Sequence, residues 1–286
     1  MPTGVPTPAN IPRLILPGLV AGSDEFLLPA SPSMRTGDMR VHKEFAVVTG
    51  GTKGIGLGLS GRLVSLGYRV VALYRGDKES AAAAEREFGD SFRALRADLA
   101  DPDAVVTVAD ELLAAYGAPK VLVNNAGRNI DRPFLDMSFD DWDQVIAANL
   151  SAPFYLTRRL APKMLEAGGG SVVNVAATTG IRPRLDGLNY CASKAGLLHF
   201  TKCLAMELAP TIRVNSLIPG MIDTEEMRTR FRTDEPHYRD RLLDEIPQRR
   251  IGDVDMMADA LEFLVGEKSS YVTGQKLIVD GGQFMW

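Results

Sequence analysis

The stretch Phe45-Ala46-Val47-Val48-Thr49-Gly50-Gly51-Thr52-Lys53-Gly54-Ile55-Gly56 decides the fold. Its opening run is apolar up to Thr49, the pattern of a strand buried on both faces. Glycines follow at 50, 54 and 56, a G-x-x-x-G-x-G spacing rather than G-x-G-x-x-G. From Gly54 to Leu66 the apolar positions take helical spacing. A glycine-rich turn between strand and helix lets a pyrophosphate approach backbone N–H groups at the helix N-terminus. Such a turn could also be a plain tight connection. Its place after the first apolar strand and before an amphipathic helix favours the phosphate reading. Gly50, Thr52, Lys53, Gly54, Ile55 and Gly56 are therefore candidate cofactor contacts.

Outward from this stretch the chain alternates. Strands are expected at Arg69–Leu73, Phe92–Arg96, Val121–Asn124, Ser171–Ala176, Ile212–Leu217 and Lys276–Val279. Helices are expected at Glu79–Phe88, Pro102–Tyr116, Asp140–Ala167, Asn189–Ala209 and Val254–Val265, with a polar helical stretch at Glu225–Leu243. Strands alternating with helices give βαβ units, and right-handed crossovers give an α/β, doubly wound parallel sheet covered on both faces.

Residues 1–42 read differently. Pro2, Pro6, Pro8, Pro12, Pro17, Pro29 and Pro32 fall there, so a packed element is not expected. A disordered arm, an early start with Met34 or Met39 as the alternative first residue, and a docking arm all fit. The apolar patch Leu14–Val20 is broken by Pro17 and Gly18, and only Arg13 precedes it, which reads poorly as a secretory signal. Residues 43–286 form the expected folded domain.

The 286 residues carry 32 Lys+Arg against 36 Asp+Glu, a net charge of −4. No basic excess points to nucleic acid, and no apolar run has the length of a membrane span. Cys191 and Cys203 make no disulfide framework, and His42, His199 and His237 make no multi-histidine metal site. A soluble cytoplasmic protein without metal is expected.

Cofactor choice is read at the end of the second strand. An acid there would favour NAD by accepting from the ribose and repelling a 2′-phosphate. The chain has Leu73-Tyr74-Arg75 instead. Arg75 and Lys53 could grip a 2′-phosphate, or be solvated charges; the missing acid favours NADP(H) over NAD(H). Asp98, after the third strand, suits the adenine amino group or a helix start. Further on, Tyr190 and Lys194 stand four residues apart, on one face of a helix. A nearby ammonium stabilises phenolate, and a phenol tuned this way can exchange a proton with an alcohol or alkoxide.

The ensemble resembles the short-chain dehydrogenase/reductase family. The matches run from about Lys43 to the C-terminus: Thr49–Gly56, Asn124-Asn125-Ala126-Gly127, Asn149, Tyr190 and Lys194, Pro219-Gly220 with Thr224, and Asp280-Gly281-Gly282. The resemblance implies a single Rossmann-like domain with seven parallel strands, NAD(P) at the strand C-termini, and a homotetramer or homodimer. It implies that Lys194 holds the nicotinamide ribose and tunes Tyr190. Asn149 would anchor a water in a proton relay, and the Pro219–Thr224 backbone would hold the carboxamide. Leu99, Asn125, Ala126, Gly127, Gly220 and Ile222 join the cofactor contacts on the same ground.

One position departs from the family. A serine is normal thirteen residues before the tyrosine, and here that residue is Ala177. Thr178, or less readily Thr179, could supply the hydroxyl. The substrate could instead bring its own polar group, or the protein could be a catalytically weak nucleotide-binding or scaffold protein. The leading expectation is an NADP(H)-dependent oxidoreductase acting on a small carbonyl or secondary alcohol. Substrate contacts are expected from Arg182–Asn189 and a lid at Met221–Leu243. Arg182 and Arg184 could bind a carboxylate or phosphate on the substrate or, the favoured reading, be exposed loop charges at an oligomer rim; Met221 and Met227 are read as adaptable apolar contacts, and Cys191 as core packing.

Overall fold

Every residue of β1 (Phe45–Thr49) is buried, as a strand with helices on both faces must be. The computed structural model of the protein describes residues 44–285, so the arm expected at 1–42 lies outside it. β1 is joined by β2 (Arg69–Tyr74), β3 (Phe92–Arg96), β4 (Val121–Asn124), β5 (Gly170–Val175), β6 (Ile212–Pro219) and β7 (Lys276–Val279). All seven pair in parallel, in the order β3-β2-β1-β4-β5-β6-β7. The helices are α1 (Gly54–Ser65), α2 (Lys78–Phe88), α3 (Pro102–Tyr116), α4 (Phe139–Ile146), α5 (Ala152–Glu166), α6 (Leu188–Leu208), α7 (Glu225–Phe231), α8 (Pro236–Glu245) and α9 (Val254–Val265). The expected doubly wound α/β fold is the one formed.

The pleat divides the core by residue parity. Val47, Val71 and Leu122 pack with Leu112 of α3 and Leu156 and Leu160 of α5. Ala46, Val48, Val70 and Val123 pack with Leu59 and Leu63 of α1 and Met257 and Leu261 of α9. Each fully buried Leu or Val contributes about 1.5–3 kcal/mol of transfer free energy. Polar side chains inside β4–β6 bond to one another and to Thr201 of α6, while Asn124 Oδ1 is buried without a partner. Asn124 Nδ2 donates to Asn174 Oδ1 (2.8 Å), Asn174 Nδ2 to Thr201 Oγ1 (2.9 Å), and Ser216 Oγ to the same hydroxyl (2.9 Å).

Two expected helices are corrected. The single helix Asp140–Ala167 is interrupted by a π turn at Ala147–Ser151, where the Ala152 N–H reaches the Ala147 carbonyl. It also starts one residue earlier, because Ser138 and Asp141 form a capping box around Phe139. The stretch Glu225–Leu243 is two helices. Arg232 adopts the left-handed conformation (φ 51°) and Pro236 opens α8. β5 also stops at Val175, one residue short of expectation, while β6 extends to Pro219 by pairing with Val279.

The strand order reverses direction between β1 and β4. Helices there leave to opposite faces, and a crevice opens beyond the strand C-termini. The glycine stretch follows β1, and Asn125–Gly127 follows β4. The topology alone puts them side by side.

Candidate active site

Gly50 (φ +65°) and Gly54 (φ +53°) take left-handed conformations that let the loop turn onto α1. A Cβ on Gly56 would lie 2.0 Å from the Gly50 carbonyl oxygen, so no side chain fits there. The first turn of α1 has no side-chain cap and no acid. Its backbone donors therefore have no side-chain partner, which is what an anion cradle at this helix start would require. Asn125 and Ala126 brace it. Both backbone N–H groups donate to Thr49 Oγ1 (2.9 Å each), and Asn125 Nδ2 donates to the carbonyls of Thr49 (2.9 Å) and Gly50 (3.3 Å). The Asn125 side chain is thus taken up by the loop; it shapes the cradle.

Thr224 stands opposite. A Cβ on Gly54 would meet its methyl at 3.8 Å, and its hydroxyl caps α7 by accepting from the Met227 N–H (3.2 Å). Ile222 is held by a bridge to Gly252. Gly220 packs against Asp280, whose Cα would lie 2.5 Å from a Cβ. Asp280 in turn accepts from the Gly282 and Phe284 N–H groups. The Pro219–Gly220 and Asp280–Gly282 motifs are therefore one packed unit. Leu99 lines a shallow pocket with Thr49 and Ala126.

The charges meant for a 2′-phosphate are less simple than the sequence implied. Arg75 is exposed just beyond β2. Lys53 Nζ lies 3.4 Å from Asp77 Oδ2. Asp98 accepts from the Ala100 N–H (3.0 Å), a local turn bond that uses one of its oxygens; the helix start is Asp101, whose side chain accepts from the Asp103 N–H at the head of α3.

Tyr190 and Lys194 occupy successive turns of α6. The ammonium lies 5.7 Å from the phenol ring centroid and donates to the carbonyl of Val175, the last residue of β5 (2.8 Å). Burial pushes Lys194 down to about 8. Burial also pushes the Tyr190 phenol up, to about 12, aided by Glu226 and opposed by Arg230 and Arg184. The expected lowering of Tyr190 by Lys194 is therefore corrected. In this arrangement desolvation is the largest influence on the phenol, and the ammonium is turned to a carbonyl.

Asn149 sits in the π turn, fully buried. Its side chain accepts from the Arg128 N–H (2.7 Å) and donates to the Arg128 carbonyl (2.9 Å) and to Ser193 Oγ (3.0 Å). Ser193 Oγ donates to the Tyr190 carbonyl (2.8 Å). Pro153, four residues on, has no N–H to offer the Asn149 carbonyl. A Cβ on Gly127 would lie 3.5 Å from Asn149 Oδ1 and 3.6 Å from Lys194 Nζ. Gly127, Asn149, Tyr190 and Lys194 thus converge.

Ala177 is buried, in extended conformation, and the 3₁₀ turn Thr178–Gly180 begins just after it. Thr178 is half-buried. The hydroxyl that is buried without a partner belongs to Thr179, the residue the sequence ranked second.

Two further expectations are corrected. Arg184 is no exposed rim charge. Its Nη2 donates to Asp131 Oδ1 (2.5 Å) and Asn129 Oδ1 (3.0 Å), and its guanidinium lies 5.8 Å from the Tyr190 ring centroid. Cys191 is half-buried, outside the core clusters, because it sits one helical position off the packed face. Arg182 is exposed, as expected, and stacks over Phe284 (5.7 Å). Arg230 of α7 also bonds to Asp131. Burial raises the Asp131 carboxyl, but its bonds from Arg184 and Asn129 and the charge of Arg230 hold it below the usual range. Asp77, Asp131, Ser193 and Arg230 were not singled out from the sequence. Only Ser193, inside the Tyr–Lys spacing, carried a local signal. Among the described residues no group of three His, Cys, Asp or Glu side chains could hold a metal ion. No helix among them is long and apolar enough to cross a membrane.

Comparison with known proteins agrees with this fold. The family described as enoyl-(acyl carrier protein) reductase matches residues 50–283. The 3-oxoacyl-[acyl-carrier-protein] reductase of Staphylococcus epidermidis is 35% identical over 244 residues, 84% of this chain and 98% of that protein. Nodulation protein G of Azospirillum brasilense is 35% identical over the same length and coverage. A gluconate 5-dehydrogenase from Burkholderia cenocepacia, solved in complex with NADP and tartrate, superposes with a TM-score of 0.77 at 31% identity, covering 84% of this chain and 94% of that one. With the seven-stranded parallel sheet, the glycine cradle and the Tyr190–Lys194 pair in place, the chain belongs to the short-chain dehydrogenase/reductase family of NAD(P)-dependent oxidoreductases.

Proposed function

We propose that the protein is an NADP(H)-dependent oxidoreductase of a small carbonyl or secondary alcohol, with Tyr190 as the proton-transferring group. The reading rests on one juxtaposition, the Tyr190 ring 5.7 Å from the buried Lys194 ammonium. The uncapped start of α1 fits a pyrophosphate. Gly50, Thr52, Lys53, Gly54, Ile55 and Gly56 would hold it. Arg75 and Lys53 would hold the 2′-phosphate, Asp98 and Leu99 the adenine side, and Lys194 the nicotinamide ribose. Pro219, Gly220, Ile222 and Thr224 would hold the carboxamide end, with Ala126 and Gly127 between. When bound, the nicotinamide supplies or accepts a hydride at the substrate carbon.

The rest of the chemistry belongs to the chain. A phenol held near 12 keeps its proton at neutral pH, which suits donation to the oxygen of a carbonyl being reduced. Tyr190 Oη gives that proton, and the oxygen leaves as a hydroxyl. The Asn149 carbonyl, deprived of an α-helical donor by Pro153, is the anchor for a water that returns the proton. Thr178 or Thr179 would orient the substrate oxygen in place of Ala177.

Tyr190→Phe tests this. With a substrate that the wild type reduces, kcat is expected to fall by about 10²–10⁴, the usual worth of a general acid. NADPH affinity, read by fluorescence titration, should hold. A kcat within about twofold of wild type would remove Tyr190 from the chemistry. Ala177 favours one other reading, a catalytically weak nucleotide-binding protein. Tight NADPH binding with no turnover across a broad panel of ketones, aldehydes and alcohols would establish it instead. Self-association as a homotetramer or homodimer belongs to the proposal. Phe154 of α5 and Met206 of α6 are exposed apolar side chains, and light scattering on the purified chain reads the mass.

A further inference from the structure

Two guanidinium groups from separate segments meet at a single carboxylate beside Tyr190. Arg184 comes from the loop behind Ala177, and Arg230 from α7. Asp131 accepts from both, one oxygen each. The three side chains are only 28%, 31% and 32% exposed. One carboxylate between two arginines leaves one positive charge in excess.

The donor inventory leaves room for a ligand. A guanidinium carries five N–H donors. Arg184 uses bonds to Leu185, Asn129 and Asp131, none through Nε. Arg230 makes one hydrogen bond, through Nη2, among the described residues. Partly desolvated donors of this kind favour an anion strongly, because a charge-assisted bond is roughly twice as strong as a neutral one. The pair reaches the reacting centre. Arg184 lies 5.8 Å from the Tyr190 ring centroid, and both arginines act electrostatically on its phenol. The other charges facing that phenol are Lys194 on α6, bound to a carbonyl, and Glu226 on α7, an exposed residue.

Ala177 gives the pair its purpose. Its methyl cannot hold a substrate oxygen, so beside a hydroxyl of Thr178 or Thr179 a second handle on the substrate would help to orient it. We infer that Arg184 and Arg230 form an anion subsite that orients the substrate by a carboxylate, so that the protein acts on short oxo or hydroxy acids. This rests on Tyr190 being the group that faces the reacting oxygen. Asp131 is the internal placeholder: it keeps the two guanidinium groups together and yields part of their donor capacity to the incoming carboxylate.

The test uses the full-length chain saturated with NADP⁺. A graded series of short oxo acids and their methyl esters is titrated by calorimetry, and the same series is assayed for NADPH oxidation. At least one acid is expected to bind about tenfold or more tightly than its ester, as a charged hydrogen bond implies. Arg230→Gln and Arg184→Gln should each bring that ratio near unity, and Arg230→Lys should restore part of it. NADPH affinity serves as the check that each variant is folded. Esters binding as well as acids, no acid binding, or a preference that survives both glutamine variants would overturn the subsite. Acids bound with this preference but no NADPH consumed would leave the subsite standing and sink the oxidoreductase reading. Equal reduction of acids and esters would do the reverse.

Discussion

Lys53 of the glycine loop holds its ammonium 3.4 Å from the carboxylate of Asp77, the residue that caps α2. One of the two cations assigned to a 2′-phosphate therefore already has an anionic partner. Asp77 would compete for Lys53 and repel the phosphate. Asp77→Asn keeps a capping oxygen for the Ser80 N–H and removes the charge. NADPH binding is expected to tighten about threefold to fivefold, the range an exposed ion pair supports, with NADH little changed. Wild type should bind NADPH more tightly than NADH, less so in high salt. Arg75→Ala should lose that preference. Fluorescence titration of both nucleotides reads all of these, and a weaker grip on NADPH in Asp77→Asn would show that Asp77 positions Lys53 instead.

The turn after β5 makes a second prediction. The Thr179 hydroxyl is buried without a partner, and Thr178 is half-buried beside Ala177. If one of them holds the substrate oxygen, its change to Val should cut kcat by about 10²–10³, the cost of a lost oxyanion donor. Ala177→Ser should raise kcat on a simple neutral ketone. Steady-state rates of the three variants on one verified substrate decide it. No change in any of them would remove this turn from the chemistry.

Lys194 links pH to stability. Burial lowers it to about 8, against 10.5 for an ordinary lysine. Between these values the unfolded chain binds more protons, so stability rises with pH across that window. Below about pH 8 the penalty is complete, about 3–4 kcal/mol at about 1.4 kcal/mol per pH unit. Lys194→Met removes it and loses the bond to Val175, worth about 1 kcal/mol. The variant should be the more stable at pH 7 by about 2–3 kcal/mol, with the gap closing toward pH 10, and it should be inactive. Urea unfolding at both pH values reads the sign; a gap that widened with pH would contradict the burial of a charged lysine.

Gly58 is fixed by packing. A Cβ there would lie 2.0 Å from Val254 Cγ1, where α1 meets α9. Gly58→Ala is expected to lose about 1–3 kcal/mol by overpacking, despite the better helix propensity of alanine. Gly58→Ala with Val254→Ala should recover part of it. Thermal melts of the two proteins test the contact; an unchanged melting temperature in the single variant would mean the helices move apart freely.

The sheet was legible because its signals are local. Phe45–Thr49 and Val121–Asn124 appear at their expected bounds, since burial on both faces writes an unbroken apolar run; the edge strands Phe92–Arg96 and Lys276–Val279 also appear at theirs, although they are only partly buried. The π turn at Ala147–Ser151 was not legible, because apolar spacing on either side of it still reads as one helix. Pro153 was its only mark in the chain. Arg232 broke the polar helix through a left-handed φ that its residue type does not announce.

By itself, the sequence determined the alternating α/β order, the glycine cradle, the Tyr190–Lys194 spacing and the absence of a serine at 177. Each depends on residues near one another along the chain, where helix and strand periods fix who shares a face. The tertiary structure alone decided that Lys53 meets Asp77 and that Asn125 braces the loop. It alone brought Arg184 and Arg230, 46 positions apart by their numbers, to Asp131. Those contacts follow from where the crossovers bring distant loops together at the strand ends. Burial there is the largest influence on the phenol of Tyr190, because desolvation is a property of the packed site and of no residue in the string.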